Sequence, residues 1–207
     1  MIGLIDYGAG NLTSVKKAFA ALGADLRVPQ SPGDLAEAAA VVVPGVGHFK
    51  ATAAITDEWR EAILALICDG RPLLGICLGL QWLFEGSTEA PEVRGLGLMN
   101  GRCERLPSSA TGPEGRPEVL KIPHVGWNAL SFPRPSVLFA GLDEGVQVYF
   151  THSYAAPVTD DAAAVTRYGV AFASAVERGQ VFGVQFHPEK SGEVGLRVLR
   201  NFLDRVG

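Results

Sequence analysis

The segment Arg71–Phe84, RPLLGICLGLQWLF, joins two structural signals without a break. Leu73 to Ile76 is a short continuous apolar run of the kind that forms a buried strand, and from about Leu78 the apolar residues read as a buried helix. At the junction stands Cys77, with Gly75 and Gly79 two positions away on either side. Gly-Ile-Cys-Leu-Gly has the form of a nucleophile elbow, where flanking glycines let backbone pass close to a strained strand-to-helix turn. Such a turn exposes its side chain at the carboxyl end of a strand and at a helix N-terminus, whose partial positive charge favours a thiolate. The amide of Leu78 then faces the oxyanion of an attacked carbonyl. Most free cysteines are small core hydrophobes. Cys68, in an apolar helix, and Cys103 fit that description, whereas the glycine bracket makes Cys77 a candidate nucleophile.

The alternation seen at the elbow extends upstream. Ile2–Asp6 reads as a strand, and Asn11–Gly23 as an amphipathic helix with Asn11 as N-cap and Gly23 as stop. Asp25–Pro29 and Ala39–Gly45 read as further strands, the latter cut off by Pro44. Thr56–Gly70 reads as a helix with acids in its first turn. Strands separated by helices of this length imply a mostly parallel sheet with helices on both faces. Downstream the pattern changes. Pro107–Pro117 reads as a surface loop, followed by strand-like pieces at Glu118–Ile122, Val146–Tyr154, Ala163–Gly169 and Ala171–Phe186, the last with a hairpin turn at Arg178-Gly179. A closing helix over Gly192–Val206 packs Val194, Leu196, Val198, Leu199, Phe202 and Leu203. The expected fold is a single α/β domain over residues 1–207 with an antiparallel elaboration in its C-terminal half.

The bulk properties suit that fold. The chain has 207 residues, 47% hydrophobic and 19% charged, an ordinary globular balance. A net charge of −4 offers no basic stripe for nucleic acid. No span approaches the roughly 18 apolar residues of a membrane helix, and MIGLIDYGAG lacks a positive n-region, so a cytoplasmic protein is expected. Three cysteines without a C-x-x-C pair predict free thiols and no metal site.

A cysteine nucleophile needs a base. His187 ends the apolar run VFGVQF, and Glu189 follows two residues later across Pro188. Residues i and i+2 of an extended segment face the same way, so Glu189 can hold one imidazole nitrogen while the other addresses a thiol. Carboxyl edges of a parallel sheet share a rim, where this pair can meet Cys77. The alternatives, a metal-ligand pair or a solvated strand end, have no supporting partner in the sequence. His48, His124 and His152 read singly as structural. Gln81, one helical turn after Cys77, shares its face. Gly8-Ala9-Gly10 raises the rival of a nucleotide-binding module, but Thr13 stands where a third glycine belongs and no acid ends the second strand.

GICLGLQ together with QFHPEK resembles the class I (triad) glutamine amidotransferases. DYGAGNLTSV, PGVGHF at 44–49, PHVGWN at 123–128, YFTHSY at 149–154 and HPEKSG at 187–192 are similar, within that family, to the glutaminase subunits of imidazole glycerol phosphate synthases. Relatives serving other synthases typically carry His in place of Leu80 and Pro in place of Val46, and usually lack Lys190.

The resemblance implies a flavodoxin-like three-layer fold, with Cys77 as nucleophile, His187 as general base and acid, and Glu189 as its orienter. It implies that Gly45, Val46 and Gly47 form the loop giving a second oxyanion amide besides Leu78. Gln81, Glu89 and backbone at Ser153 and Tyr154 would hold the α-end of glutamine. It further implies no cofactor, and a (β/α)8-barrel cyclase partner in a heterodimer, met by Asn11, Trp127, Tyr149 and Lys190. The partner would use channelled ammonia to convert a phosphoribulosyl ribonucleotide (PRFAR) to imidazole glycerol phosphate and AICAR in histidine biosynthesis. Trp127 and Tyr149 serve equally well as core aromatics on sequence grounds. A glutaminase feeding another synthase, or a cysteine hydrolase acting on a different amide, remains the enzymatic rival.

Overall fold

The computed structural model describes residues 1–111 and 117–207. Its strands are β1 (Ile2–Leu4), β2 (Leu26–Arg27), β3 (Ala40–Val43), β4 (Leu73–Ile76), β5 (Gly86–Ser87), β6 (Arg102–Arg105), β7 (Ser109–Thr111), β8 (Pro117–Val119), β9 (His124–Ala129), β10 (Gln147–His152), β11 (Tyr154–Ala155), β12 (Ala162–Tyr168), β13 (Val170–Arg178) and β14 (Val181–Val184). Its helices are α1 (Leu12–Ala21), α2 (Asp57–Cys68), α3 (Leu78–Leu83) and α4 (Gly192–Leu203).

A seven-stranded sheet with the order β12-β13-β14-β4-β3-β1-β2 forms the centre. Pairing is parallel from β14 through β4, β3 and β1 to β2, and antiparallel at β13 and β12. The antiparallel elaboration expected from the sequence thus extends the parallel sheet at one edge; β11-β6-β5 forms a separate three-stranded sheet, and β9–β10 and β7–β8 are two-stranded. Side chains alternate across the sheet as its pleat requires. Leu74, Ile76, Phe182 and Val184 join Phe19 of α1 and Val198, Leu199 and Phe202 of α4 in one core. Leu73 and Val181 join Ile63 and Leu66 of α2 and Leu80, Trp82 and Leu83 of α3 in the other. Gly75 and Gly183 are register partners on this second face. A Cβ on Gly75 would lie 2.6 Å from the Gly79 carbonyl, so α3 rests on bare strand backbone.

The register brings several ends to one rim: Val43 of β3 pairs with Gly75, and Val184 of β14 with Ile76. Pro44–Gly47, Cys77 and Gln185–His187 therefore start side by side. Four local expectations need correction. Residues 107–117 are not all loop: Ser109–Thr111 pairs with Pro117–Val119, residues 112–116 lying outside the described residues. The strand expected over 118–122 ends at Val119. The hairpin closes on the Arg178–Val181 pair, so Gly179 and Gln180 occupy its turn. Cys68 is exposed, because it is the last residue of α2 and lies off the Ile63–Leu66 stripe. Among the described residues no helix is long and apolar enough to cross a membrane.

Candidate active site

β4 stops at Ile76 and α3 starts at Leu78, leaving Cys77 to make the whole turn at φ 54° and ψ −105°. It is the only non-glycine residue at positive φ among the described residues. Strain of this kind costs about 1–3 kcal/mol and persists where surrounding structure imposes it. Here the constraints are visible: the Cys77 N–H donates to the Val184 carbonyl at 2.7 Å, and Gly79 is pressed against β3, where a Cβ would come 1.8 Å from the Val43 carbonyl. The thiol reaches a cavity of about 260 Å³ lined by Gly47, Leu78, Gln81, Glu89, His152 and Tyr154 among others.

His187 and Glu189 lie behind the thiol, 2% and 3% exposed. Nδ1 of the imidazole is 2.8 Å from Glu189 Oε1, while Nε2 is buried and has no hydrogen-bond partner. The contact is the expected one, but its backbone is not. β14 ends at Val184, and Pro188–Lys190 forms a 3-10 turn rather than an extended segment, so the chain curls to return the carboxylate to the ring. The Tyr149 carbonyl accepts from the His187 amide at 2.9 Å, and Ser191 Oγ bridges the His187 carbonyl and the Tyr149 amide. Burial works against the imidazolium. The Cys77 sulfur and the Glu189 carboxylate outweigh it and lift the His187 pKa to about 9.

The oxyanion amides are not both free. Leu78 N–H donates to the Gly45 carbonyl at 3.3 Å, which sets the Pro44–Gly47 loop across the elbow. Val46 is partly exposed and Gly47 lines the cavity. Across the cavity, Glu89 Oε2 accepts from Phe49 N–H at 2.7 Å. Gln81 Nε2 donates to the Tyr154 carbonyl at 2.8 Å and to Gln185 Oε1 at 3.1 Å, and the Ser153 carbonyl accepts from Leu106 N–H. Glu89 Oε1 and Gln81 Oε1 make no hydrogen bond among the described residues.

His152 has a fixed tautomer. Its Nδ1 meets the Tyr154 carbonyl at 2.9 Å and must carry the hydrogen, so Nε2 accepts from His124 Nδ1 at 3.1 Å. His124 lies between Phe150 and Tyr168, with ring centroids 4.9 and 4.1 Å away. Desolvation lowers His124 to about 4 and His152 to about 3, keeping both rings neutral at the edge of the site.

Trp127, Tyr149 and Lys190 cluster outside the cavity. The Trp127 and Tyr149 rings meet edge-on at 6.1 Å, and Lys190 Nζ lies 5.8 Å from the Tyr149 ring. Trp127 is 56% exposed, which removes the core-aromatic alternative for it. Asn11 is exposed and caps α1 through Ser14 N–H at 3.2 Å.

Two buried groups beside the thiol have no counterpart in the sequence reading. Tyr7 Oη has no partner and lies 1.9 Å from where a Gly45 Cβ would stand, and burial raises its pKa, as does the Cys77 sulfur nearby. Gln185 Nε2 lies 3.6 Å from Cys77 Sγ. The available signal was a lone amide inside the apolar run VFGVQF, since a buried polar group demands a partner.

Comparison with known proteins agrees with this geometry. The family model for glutamine amidotransferase class-I matches residues 3–206. The chain belongs to the class-I glutamine amidotransferase family. The imidazole glycerol phosphate synthase subunit HisH of Syntrophotalea carbinolica is 47% identical over 99% of this chain and 100% of its own length. That of Moorella thermoacetica is 45% identical over 99% of this chain and 95% of its own. Among solved structures, PurLQS from Thermotoga maritima superposes with a TM-score of 0.75 at 17% identity, covering 100% of this chain and 98% of that one. A crystal structure of a glutamine amidotransferase superposes at 0.73 with 20% identity, covering 100% and 98%. These two likenesses show the fold.

Proposed function

We propose that this protein is the glutaminase subunit of an imidazole glycerol phosphate synthase, and that Cys77, His187 and Glu189 hydrolyse L-glutamine to glutamate and ammonia. The observation that carries the chemistry is the strained Cys77 turn opening on a cavity, with a buried His187–Glu189 pair beside it. With its proton held by His187 Nε2, the Cys77 sulfur attacks the side-chain amide carbon, and the carbonyl electron pair moves to oxygen. Collapse of that tetrahedral species expels the nitrogen, which takes its proton from His187 Nε2 and leaves as ammonia. Water, giving a proton to His187 Nε2, then opens the thioester, releasing glutamate and leaving the Cys77 sulfur as a thiolate beside the protonated imidazole. The free oxygens of Gln81 and Glu89 suit the α-ammonium of glutamine.

In this conformation the Gly45 carbonyl occupies the Leu78 amide, so the loop must turn before two amides face an oxyanion. Docking of a cyclase subunit over Trp127, Tyr149 and Lys190 would couple that turn to demand for ammonia, and shelter the ammonia from protonation in bulk water. The (β/α)8 nature of that partner and a cytoplasmic location belong to the same reading, drawn from the family resemblance. Glutamate release by wild type and by Cys77→Ala, each alone and with the cyclase and its ligand, tests it. The expected result is Cys77-dependent release that rises severalfold or more with the liganded partner; no such release under any condition overturns it.

A further inference from the structure

The end of β14 buries an amide that the triad does not use. Gln185 is wholly inaccessible, and its backbone N–H is already taken by the Ser174 carbonyl at 2.9 Å. Its carboxamide is aimed in two directions, with Oε1 accepting from Gln81 Nε2 at 3.1 Å and Nε2 donating toward Cys77 Sγ at 3.6 Å. The other Gln81 Nε2 hydrogen goes to the Tyr154 carbonyl at 2.8 Å, which fixes the orientation of both amides and leaves Gln81 Oε1 for the cavity. Burying a primary amide costs free energy that a methionine of similar volume would not incur. A thiol accepts a hydrogen bond weakly and a thiolate strongly, so this donor discriminates between the two states of the nucleophile.

We propose that Gln185 is a positioning residue for the nucleophile, holding the Cys77 sulfur at the elbow and connecting it through Gln81 to the substrate end of the cavity. The connection to substrate rests on the glutaminase reading; the contact with sulfur does not. An ammonium bound at Gln81 Oε1 polarises that amide, strengthens its N–H toward Gln185 Oε1, and so strengthens the Gln185 N–H toward sulfur. When sulfur bonds to the amide carbon its charge passes to the carbonyl oxygen, and the Gln185 contact weakens as the oxyanion contacts form.

The titratable groups around the sulfur are His187 and Glu189 from the Pro188 turn, Tyr7 beyond β1 and Glu89 on the cavity wall, with His152 of β10 facing His187. All stay in place in Gln185→Met and Gln81→Met. Alkylation of Cys77 by iodoacetamide, followed by peptide mapping so that the exposed Cys68 does not interfere, is measured against pH in the full chain. Glutaminase kcat and KM are measured in the complex with cyclase and its ligand. In Gln185→Met the alkylation curve should move to higher pH, and kcat should fall about tenfold with KM within about twofold, the size expected of a hydrogen bond to a charged group. Gln81→Met should displace the curve less and raise KM as well. A Gln185→Met protein that melts like wild type and keeps its curve and kcat overturns the proposal. Should that variant not fold, the Gln81→Met curve decides, displacement supporting the relay and coincidence with wild type overturning it. Alkylation needs no glutamine, so a wild type that alkylates normally but releases no glutamate would overturn the glutaminase reading alone.

Discussion

At Glu189 a buried carboxylate meets an imidazole with one oxygen and leaves the other, Oε2, without a partner. That carboxylate fixes the tautomer of His187 and favours its charged form against burial. Glu189→Gln should therefore lower kcat by roughly 10²–10⁴-fold, as loss of the orienting carboxylate does in other triads, and move the alkaline limb of the pH–kcat/KM profile to lower pH. Stability should follow the histidines with opposite signs. His187, raised to about 9, contributes stability in full below its ordinary value near 6.5, and that contribution is lost as pH rises toward 9. His124 and His152, lowered to about 4 and 3, bind fewer protons folded than unfolded, so acid removes stability between about 6.5 and 3. Denaturant midpoints taken from pH 4 to 9 should peak near neutrality; a midpoint still rising below pH 6 would contradict the neutral pair. Cys77 and His187 were legible because each sits in a pattern whose spacing has a steric reason. Gln185 and Tyr7 were not, because a lone polar residue does not name what it faces until the chain folds.

The turn from β4 into α3 works because glycines remove side chains where backbones touch. The same holds at α4, where a Cβ on Gly195 would lie 2.0 Å from the Pro188 carbonyl. Gly195→Ala should push α4 off the turn that carries Glu189, costing about 2–3 kcal/mol in unfolding free energy and lowering kcat in the protein that remains folded. A thermal melt and a single-turnover assay check the two effects, and unchanged values of both would show that the turn yields at no cost. The helices and the parallel strands were readable because their periods and caps are local properties: Asn11 caps α1, and Leu73–Ile76 and Leu78 bound β4 and α3 as expected. His124–Ala129 escaped because Gly126 and Asn128 are poor strand formers and the large apolar residues of its alternation, Val125 and Trp127, are the exposed ones, so the strand is defined by its pairing with β10. The 3-10 turn at Pro188–Lys190 escaped for a related reason, since its shape is set by the Ser191 and Tyr149 contacts rather than by its own residues.

Across the whole molecule, one sheet rim gathers the loop, the thiol and the base from strands far apart in sequence. The Trp127–Tyr149–Lys190 cluster, with Trp127 and Lys190 exposed and Tyr149 half-buried, lies outside that rim, joined to it by the backbone bond between His187 and Tyr149. Trp127→Ala removes a side chain that supports little of the core. It should leave the melting temperature within about 2 °C, as surface substitutions within about 0.5 kcal/mol do, while reducing stimulation by the cyclase severalfold. A lowered melting temperature with normal stimulation would assign the residue to stability instead. The rim, and the placing there of Cys77 near the His187–Glu189 pair, could be anticipated from connectivity; the contact between Gly45 and Leu78 could not, because a loop's resting position is a matter of small energy differences. That contact makes the idle turnover rate a gauge. A neutral hydrogen bond nets only about 1 kcal/mol, roughly a fivefold bias, so the Gly45 carbonyl alone would still leave about one molecule in six open. Suppression of a hundredfold would require about 2.7 kcal/mol and hence a latch distributed over the loop. The ratio of idle to stimulated rates thus reads out how many contacts share in keeping the enzyme quiet.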